Sequence, residues 1–518
     1  MKKLVLLIMA ILFSTLSISE VDYKELLKDY PYKNSAVQAT VLGTPKKDFY
    51  VFKDPKGPKI GVVKTTKKIP DVLRQWENYE YGIWKQKEKA PLMVIISGTG
   101  SLYNGSYTLY MANVFYDRGY NVLTFSSTST LPYIVSQSTN SYSGNMTDDV
   151  YNLYDIIANE IAKQKKDGMD VSDTYIGGFS LGGFQSLKIH ELDSQKKKIN
   201  IKKSLLLNTP VDILTSSKIL DNYLVKNGIY DASTLEKYID TIFKKILFDD
   251  SIQMKDMNPE NIQNILARSE LGDKDLEVMI GLLFRFYSAN MTFSGEMFEG
   301  KGDRILKGNK PPKRFDSLTN YFLEGLSVSY AEYSKDILYP YVNKRLSTNT
   351  YTYEKFKEMF SLKSSNDFIK ANGDNIIYLT SADDLLMTKE DFAYVNSTFK
   401  NKIIPISSIG STGTKSLALF YFWWQEIRDG KISFLFIDEF DSSYHFKLSR
   451  QIVKRLKEVS SQVVLTTHNT TLLDNDLIRP DCGFKISESG ITSLHNSTSK
   501  DIRLAHNLEK MYRAGSFE

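Results

Sequence analysis

Between residues 91 and 212 the chain alternates short apolar, β-branched runs with helical stretches: LMVIIS at 92–97, NVLTFSS at 121–127, DTYIGGFS at 173–180 and SLLLNTP at 204–210. A strand with one wet face alternates apolar and polar residues, whereas a run apolar at successive positions is buried on both sides. Continuous strands separated by helices therefore specify the α/β class, a mostly parallel sheet with helices on both faces. AVQATVL at 36–42 and DFYVF at 48–52 predict an antiparallel edge hairpin ahead of that sheet. From 213 to 372 the texture turns to amphipathic helix without a good strand, as in LEVMIGLLFRFY at 276–287, which reads as a helical insertion. NIIYLTSADD at 375–384 then returns to a buried strand ending in acids.

Past residue 400 a second αβ unit is predicted, with strands in 433–441 and 461–469 and a helix at 446–459 between them. The expected layout is a leader at 1–19, a first domain at 20–400 and a C-terminal fragment at 401–518, with the boundary near 398–402. MKKLVLLIMAILFSTLSIS has two lysines, a short apolar run and small residues, the pattern of a secretory signal. It implies export to the periplasm or beyond, and membrane attachment only if the signal stays uncleaved. Composition excludes other classes: with 42% apolar and 25% charged residues the chain is not disordered. The 66 Lys and Arg exceed the 61 Asp and Glu by five, spread along the sequence, so no nucleic-acid partner is indicated. A single cysteine, Cys482, leaves no internal disulfide and no Cys-based zinc site.

Gly178-Phe179-Ser180-Leu181-Gly182 closes one apolar strand and opens a helix. In a G-x-S-x-G turn the serine occupies a strained position and the glycines let neighbouring backbone pass, so that the hydroxyl is thrust outward. Over about 36–399 the chain here resembles the α/β-hydrolase family of serine hydrolases. The resemblance implies an acyl-enzyme on Ser180 formed from a small ester or amide, without a cofactor. It implies an oxyanion hole from the Thr99 and Leu181 amides, each contributing on the order of 3 kcal/mol. The triad acid is then Asp384, with Asp383 as the close second, at the end of the strand after the insertion. Family order puts the histidine next, yet KIIPISSIGSTG at 402–413 contains none, and the five histidines are His190, His445, His468, His495 and His506. A serine without a positioned base is a poor nucleophile, so the hydrolase is expected to be impaired.

FLFIDE at 434–439 is an apolar strand ending in acids, preceded by STGTKS at 411–416 and followed by TTHN at 466–469. From about 408 to the C-terminus this order resembles the closing part of ABC-like AAA ATPases, a P-loop fold. The resemblance makes Asp438 a Mg²⁺ holder, Glu439 the residue that polarises water, His468 a γ-phosphate contact, and Thr412 with Gly413 a signature contact to nucleotide. ATP and Mg²⁺ are the implied cofactors of that part. No G-x-x-x-x-G-K-[ST] phosphate cradle occurs anywhere in the chain. Three functions stay open: an exported serine hydrolase fused to an incomplete ATPase, an ATP-binding or ATP-hydrolysing protein, and a noncatalytic fusion.

Overall fold

The computed structural model describes residues 35, 37, 38, 40, 57–231, 233–238, 271–346, 351–381, 384–403, 433–437, 440, 441, 446–487, 490–499, 502 and 506–517. The chain divides into two units, Met1–Pro405 and Ile406–Glu518.

The first unit is built on eight strands: β1 (Lys59–Lys64), β2 (Asn78–Trp84), β3 (Ala90–Ile96), β4 (Asn121–Phe125), β5 (Val171–Phe179), β6 (Ile201–Leu207), β7 (Ile376–Leu379) and β8 (Asn401–Ile403). Their order in the sheet is β1-β2-β4-β3-β5-β6-β7-β8. β2 runs antiparallel to both of its neighbours, and every pairing from β4 to β8 is parallel. Alternation of side chains divides each central strand between two cores. Leu92, Val94 and Ile96 of β3 face one core with α3 (Met146–Lys166) and α4 (Leu181–Lys196), which supply Leu153, Ile157, Phe184 and Leu187. Met93 and Ile95 face the other, against Met111, Val114 and Phe115 of α1 (Ser106–Asp117). The continuous apolar runs are thus strands covered on both faces, as the sequence specifies.

Between β4 and α3 lies the short α2 (Leu131–Ser136). Between β6 and β7 the described chain is helical, beginning with α5 (Ile213–Val225) and α6 (Asp273–Glu299); it has no strand, only an isolated bridge between Asp212 and Ser361. Arg285 Nε on α6 donates to Asp221 Oδ1 on α5 at 2.7 Å and clamps the two helices together. α7 (Lys389–Thr398) leads to β8.

The expected edge hairpin forms elsewhere. Val37, Gln38 and Thr40 are helical, and residues 48–52 lie outside the described residues. Ser35 Oγ and Gln38 Nε2 donate to the two carboxylate oxygens of Asp273 at 2.9 and 2.8 Å, a tertiary tie to the start of α6 that overrides the strand propensity of AVQATVL. The edge is instead β1 with β2, whose Tyr79 and Tyr81 are fully buried and bonded through their hydroxyls to Ser126 O and Glu160 Oε2.

In the second unit β9 (Phe434–Ile437) and β10 (Gln462–Leu465) pair in parallel with α8 (Phe446–Leu456) between them in sequence. Ile452, Val453 and Leu456 of α8 form a small core with Phe440, Leu472 and Leu477, while Phe434 and Phe436 stand exposed on β9. β11 (Phe484–Ser487) and β12 (Gly490–Ser493) form a hairpin that the sequence reading missed. No described helix is long and apolar enough to cross a membrane.

Candidate functional site

Ser180 sits where β5 ends and α4 begins, with φ 55° and ψ −121°. A positive φ costs a non-glycine residue about 1–3 kcal/mol and persists only where the surroundings fix it. Here Ser180 N donates to Leu207 O at 2.8 Å, and Ser180 O accepts from Gly183 N and Phe184 N at 3.0 and 3.1 Å. The flanking glycines let α4 come close to β3: a Cβ on Gly182 would stand 2.1 Å from Ile96 O, and one on Gly178 2.5 Å from the same oxygen. The local sequence thus dictates the strained turn and the close helix packing together.

Ser180 opens onto a cavity of about 790 Å³, open space at its mouth included, between the sheet's loops and the helical insertion. Thr99, from the loop after β3, and Leu181 line it beside the serine. The Thr99 loop is fixed by Ser101 N donating to Gly98 O at 3.0 Å and Gly100 N donating to Ser129 Oγ at 2.8 Å. Leu181 opens α4, where an N–H has no intrahelical acceptor. Ser180, Thr99 and Leu181 therefore line one cavity.

The acid and the base come out differently. Asp384 follows β7, and its Oδ2 accepts from Thr380 Oγ1 at 2.6 Å and Asn208 Nδ2 at 3.0 Å, while Oδ1 accepts from Leu386 N at 3.0 Å. Asn208, which holds φ 44° just past β6, was not anticipated from sequence. Leu386 lines the cavity and Asp384 does not. Asp383 lies outside the described residues. His190 is the one histidine that the sequence places before residue 445. It is buried on α4, with Nδ1 3.1 Å from Ser204 Oγ and its ring edge-on to Phe368. Burial pushes it down to about 4, so it is a neutral packing residue at physiological pH. Among the described residues no histidine lines the cavity.

Two acids that the sequence reading passed over do line it. Asp149, in the first turn of α3, is fully buried and accepts from Gly144 N at 3.1 Å. Loss of hydration pushes its carboxyl up to about 8, so it is largely protonated at neutral pH. Its signal was available: residues 146, 149, 150, 153 and 157 mark the buried stripe of α3, and one of them is an acid. Asp221 is raised by burial and held back by Arg285.

In the second unit Asp438, Glu439, Thr412 and Gly413 lie outside the described residues. His468 is exposed, three residues past β10. The ends of β9 and β10 are tied by Thr466 N donating to Ile437 O at 3.0 Å and by Thr467 Oγ1 donating to Asp441 Oδ1 at 2.6 Å. Thr467, the residue before His468, therefore sits beside Asp441. Among the described residues no group of three His, Cys, Asp or Glu side chains could hold a metal ion.

Residues 316–474 match the family model described as "AAA domain, putative AbiEii toxin, Type IV TA system". The match begins in the first unit, runs through β7, α7 and β8, and ends beyond β10 in the second. No curated protein matches the sequence. Among solved structures the chain is similar to a soluble variant of monoglyceride lipase from Saccharomyces cerevisiae in complex with a substrate analog, at 10% identity and a TM-score of 0.32 over 72% of this chain and 96% of that one. It is similar to MGS-M2, an alpha/beta hydrolase enzyme from a Medee basin deep-sea metagenome library, at 13% identity and 0.31 over 64% and 85%. AbyA5 matches at 8% and 0.31 over 71% and 67%. These likenesses are distant, and the α/β-hydrolase-like fold of the first unit rests on its own mainly parallel sheet and its strand–serine–helix turn. The chain joins that unit to a stretch resembling AAA-type ATPases.

Proposed function

We propose that the first unit is an acyl-transfer module that accepts the acyl group of a small ester or amide on Ser180 and releases it slowly. The observation that carries this reading is the strained Ser180 turn opening onto the same cavity as Thr99 and Leu181. Attack by Ser180 Oγ forms a bond to the carbonyl carbon while the bond to the leaving alcohol or amine breaks, and the serine proton departs with that group. The Thr99 and Leu181 N–H groups stabilise the negative oxygen formed on the way. Asp384 in this reading ties the loops after β6 and β7 through Asn208, Thr380 and Leu386, and orients no imidazole. With no histidine among the described lining residues to activate water either, hydrolysis of the acyl-enzyme is slower than its formation for activated esters. The proposed compartment is outside the cytoplasm, supported by the leader at residues 1–19. A fluorophosphonate probe is expected to label the intact protein and to fail on Ser180→Ala; no labelling of either refutes the module's reactivity.

A second reading, supported by the family match over residues 316–474 and the parallel β9–α8–β10 unit, assigns nucleotide binding to the C-terminal part. Asp438 would then hold Mg²⁺, Glu439 would polarise water, and His468, Thr412 and Gly413 would contact phosphate. The missing phosphate cradle argues against turnover. Equilibrium dialysis with labelled ATP and Mg²⁺ tests it: saturation below millimolar nucleotide supports it, and no saturable binding removes it.

A further inference from the structure

The described lining of the Ser180 cavity exposes mostly apolar surface. Of its polar lining residues, Ser216 Oγ donates to Leu386 O at 2.8 Å and Ser217 Oγ to Leu214 O at 2.8 Å. Thr128 Oγ1 accepts from Gln185 Nε2 at 2.6 Å, and Ser129 Oγ accepts from Gly100 N and bonds to Ser127 Oγ. Among the described residues no lysine, arginine or histidine lines the space; Asp221 Oδ1 accepts from Arg285, and Thr99, Asp149, Tyr287 and Tyr330 are the further lining residues with polar atoms. What remains is apolar surface from Leu181, Pro210, Ile213, Leu220, Phe284 and Met291, contributed by α4, the loop after β6, α5 and α6. With mostly apolar surface and no cation among its described lining residues, the cavity suits an uncharged aliphatic ligand better than an anionic head group. An anionic group there would lose its hydration with no described cation to replace it.

We propose that this cavity takes the straight aliphatic chain of an uncharged acyl ester, with the ester carbonyl at Ser180 and the chain running along Leu220, Phe284 and Met291. The proposal rests on the acyl-transfer reading for the carbonyl's position, while the chain site itself stands on the lining alone. Each methylene moved from water into such a cavity strengthens binding about fourfold until the space is filled.

The test uses the full chain and two series. In the first, the second-order rate of Ser180 acylation is measured with p-nitrophenyl esters of increasing acyl length. It is expected to rise about threefold to fourfold per methylene and then level off, while an ester with a carboxylate at the chain end is slower by at least tenfold than its neutral analogue. In the second, methyl ketones of the same lengths displace Nile red from Ser180→Ala, with the same stepwise gain in affinity. Acylation that is indifferent to chain length overturns the assignment and leaves the acyl-transfer reading intact. No acylation, with chain-length-dependent displacement in Ser180→Ala, refutes acyl transfer and supports the chain site. A flat displacement series refutes the chain site whatever the acylation result.

Discussion

Replacing Asp149 by Asn should make the first unit more stable at neutral and alkaline pH and slightly less stable in acid. The carboxyl ionises at an ordinary value of 3.8 when unfolded and near 8 when folded, because its burial strips the charged form of water. Asp148, Tyr133, Tyr330 and Tyr333 are the ionisable groups around it, and none of them is a cation. A carboxyl raised in this way exerts its full favourable effect below 3.8, where both states hold the proton. As pH rises toward about 8 the unfolded chain loses the proton first, so stability falls by about 1.36 kcal/mol per pH unit, reaching on the order of 5 kcal/mol. Asn cannot ionise and removes that slope. It keeps an acceptor for Gly144 N but presents an NH₂ group that has to find a partner, which costs about 1 kcal/mol. The variant should therefore be about 1 kcal/mol less stable than the parent at pH 3 and roughly 4 kcal/mol more stable at pH 8. Urea unfolding of both full-length proteins across this range measures the difference, and because they share the second unit the difference belongs to the first. Parallel pH profiles for the two proteins would refute a buried, protonated Asp149.

Other outcomes follow from the same contacts. His190, pushed down to about 4 from 6.5, stabilises the fold fully above 6.5 and loses that contribution as pH falls to about 4, on the order of 3 kcal/mol in all; His190→Gln should flatten that acid limb in urea titrations, and an unchanged limb would contradict the buried neutral ring. Asp384→Ala leaves Thr380, Asn208 and Leu386 N without their shared acceptor and should cost about 1–3 kcal/mol, while acylation of Ser180 changes less than about tenfold; a loss of about 10³-fold or more would show that Asp384 acts through the serine after all. Gly182→Ala drives a methyl into Ile96 O and should lose about 1–3 kcal/mol or more together with probe labelling, whereas Gly57→Ala, with nothing within 4 Å, should shift stability by less than about 0.5 kcal/mol.

What could be read from the sequence follows physical rules. β3 to β7 were legible because strands buried on both faces carry apolar residues at successive positions, a pattern that exposed segments do not imitate. The edge was illegible: β1 and β2 are joined by thirteen residues, 65–77, that include a 3₁₀ helix at Asp71–Trp76, so no tight-turn signal marks the hairpin. The Ser180 turn was legible because its geometry is local and steric. The other walls of the cavity were not, since α3, α5 and α6 bring together residues as far apart as Asp149 and Met291 by tertiary packing alone. The same holds for Asn208, whose bond to Asp384 spans 176 positions. A motif records spacing, and neither of these arrangements has one.

In the proposed reading Ser180 takes up an acyl group and keeps it, since no histidine is among the described residues of the cavity. Intact-protein mass spectrometry after brief mixing with a p-nitrophenyl alkanoate tests this most directly. The expected result is one added acyl group per chain, mapped to the peptide carrying Ser180, persisting after free ester is removed and absent in Ser180→Ala. An unmodified protein, or an adduct on any other residue, would contradict it.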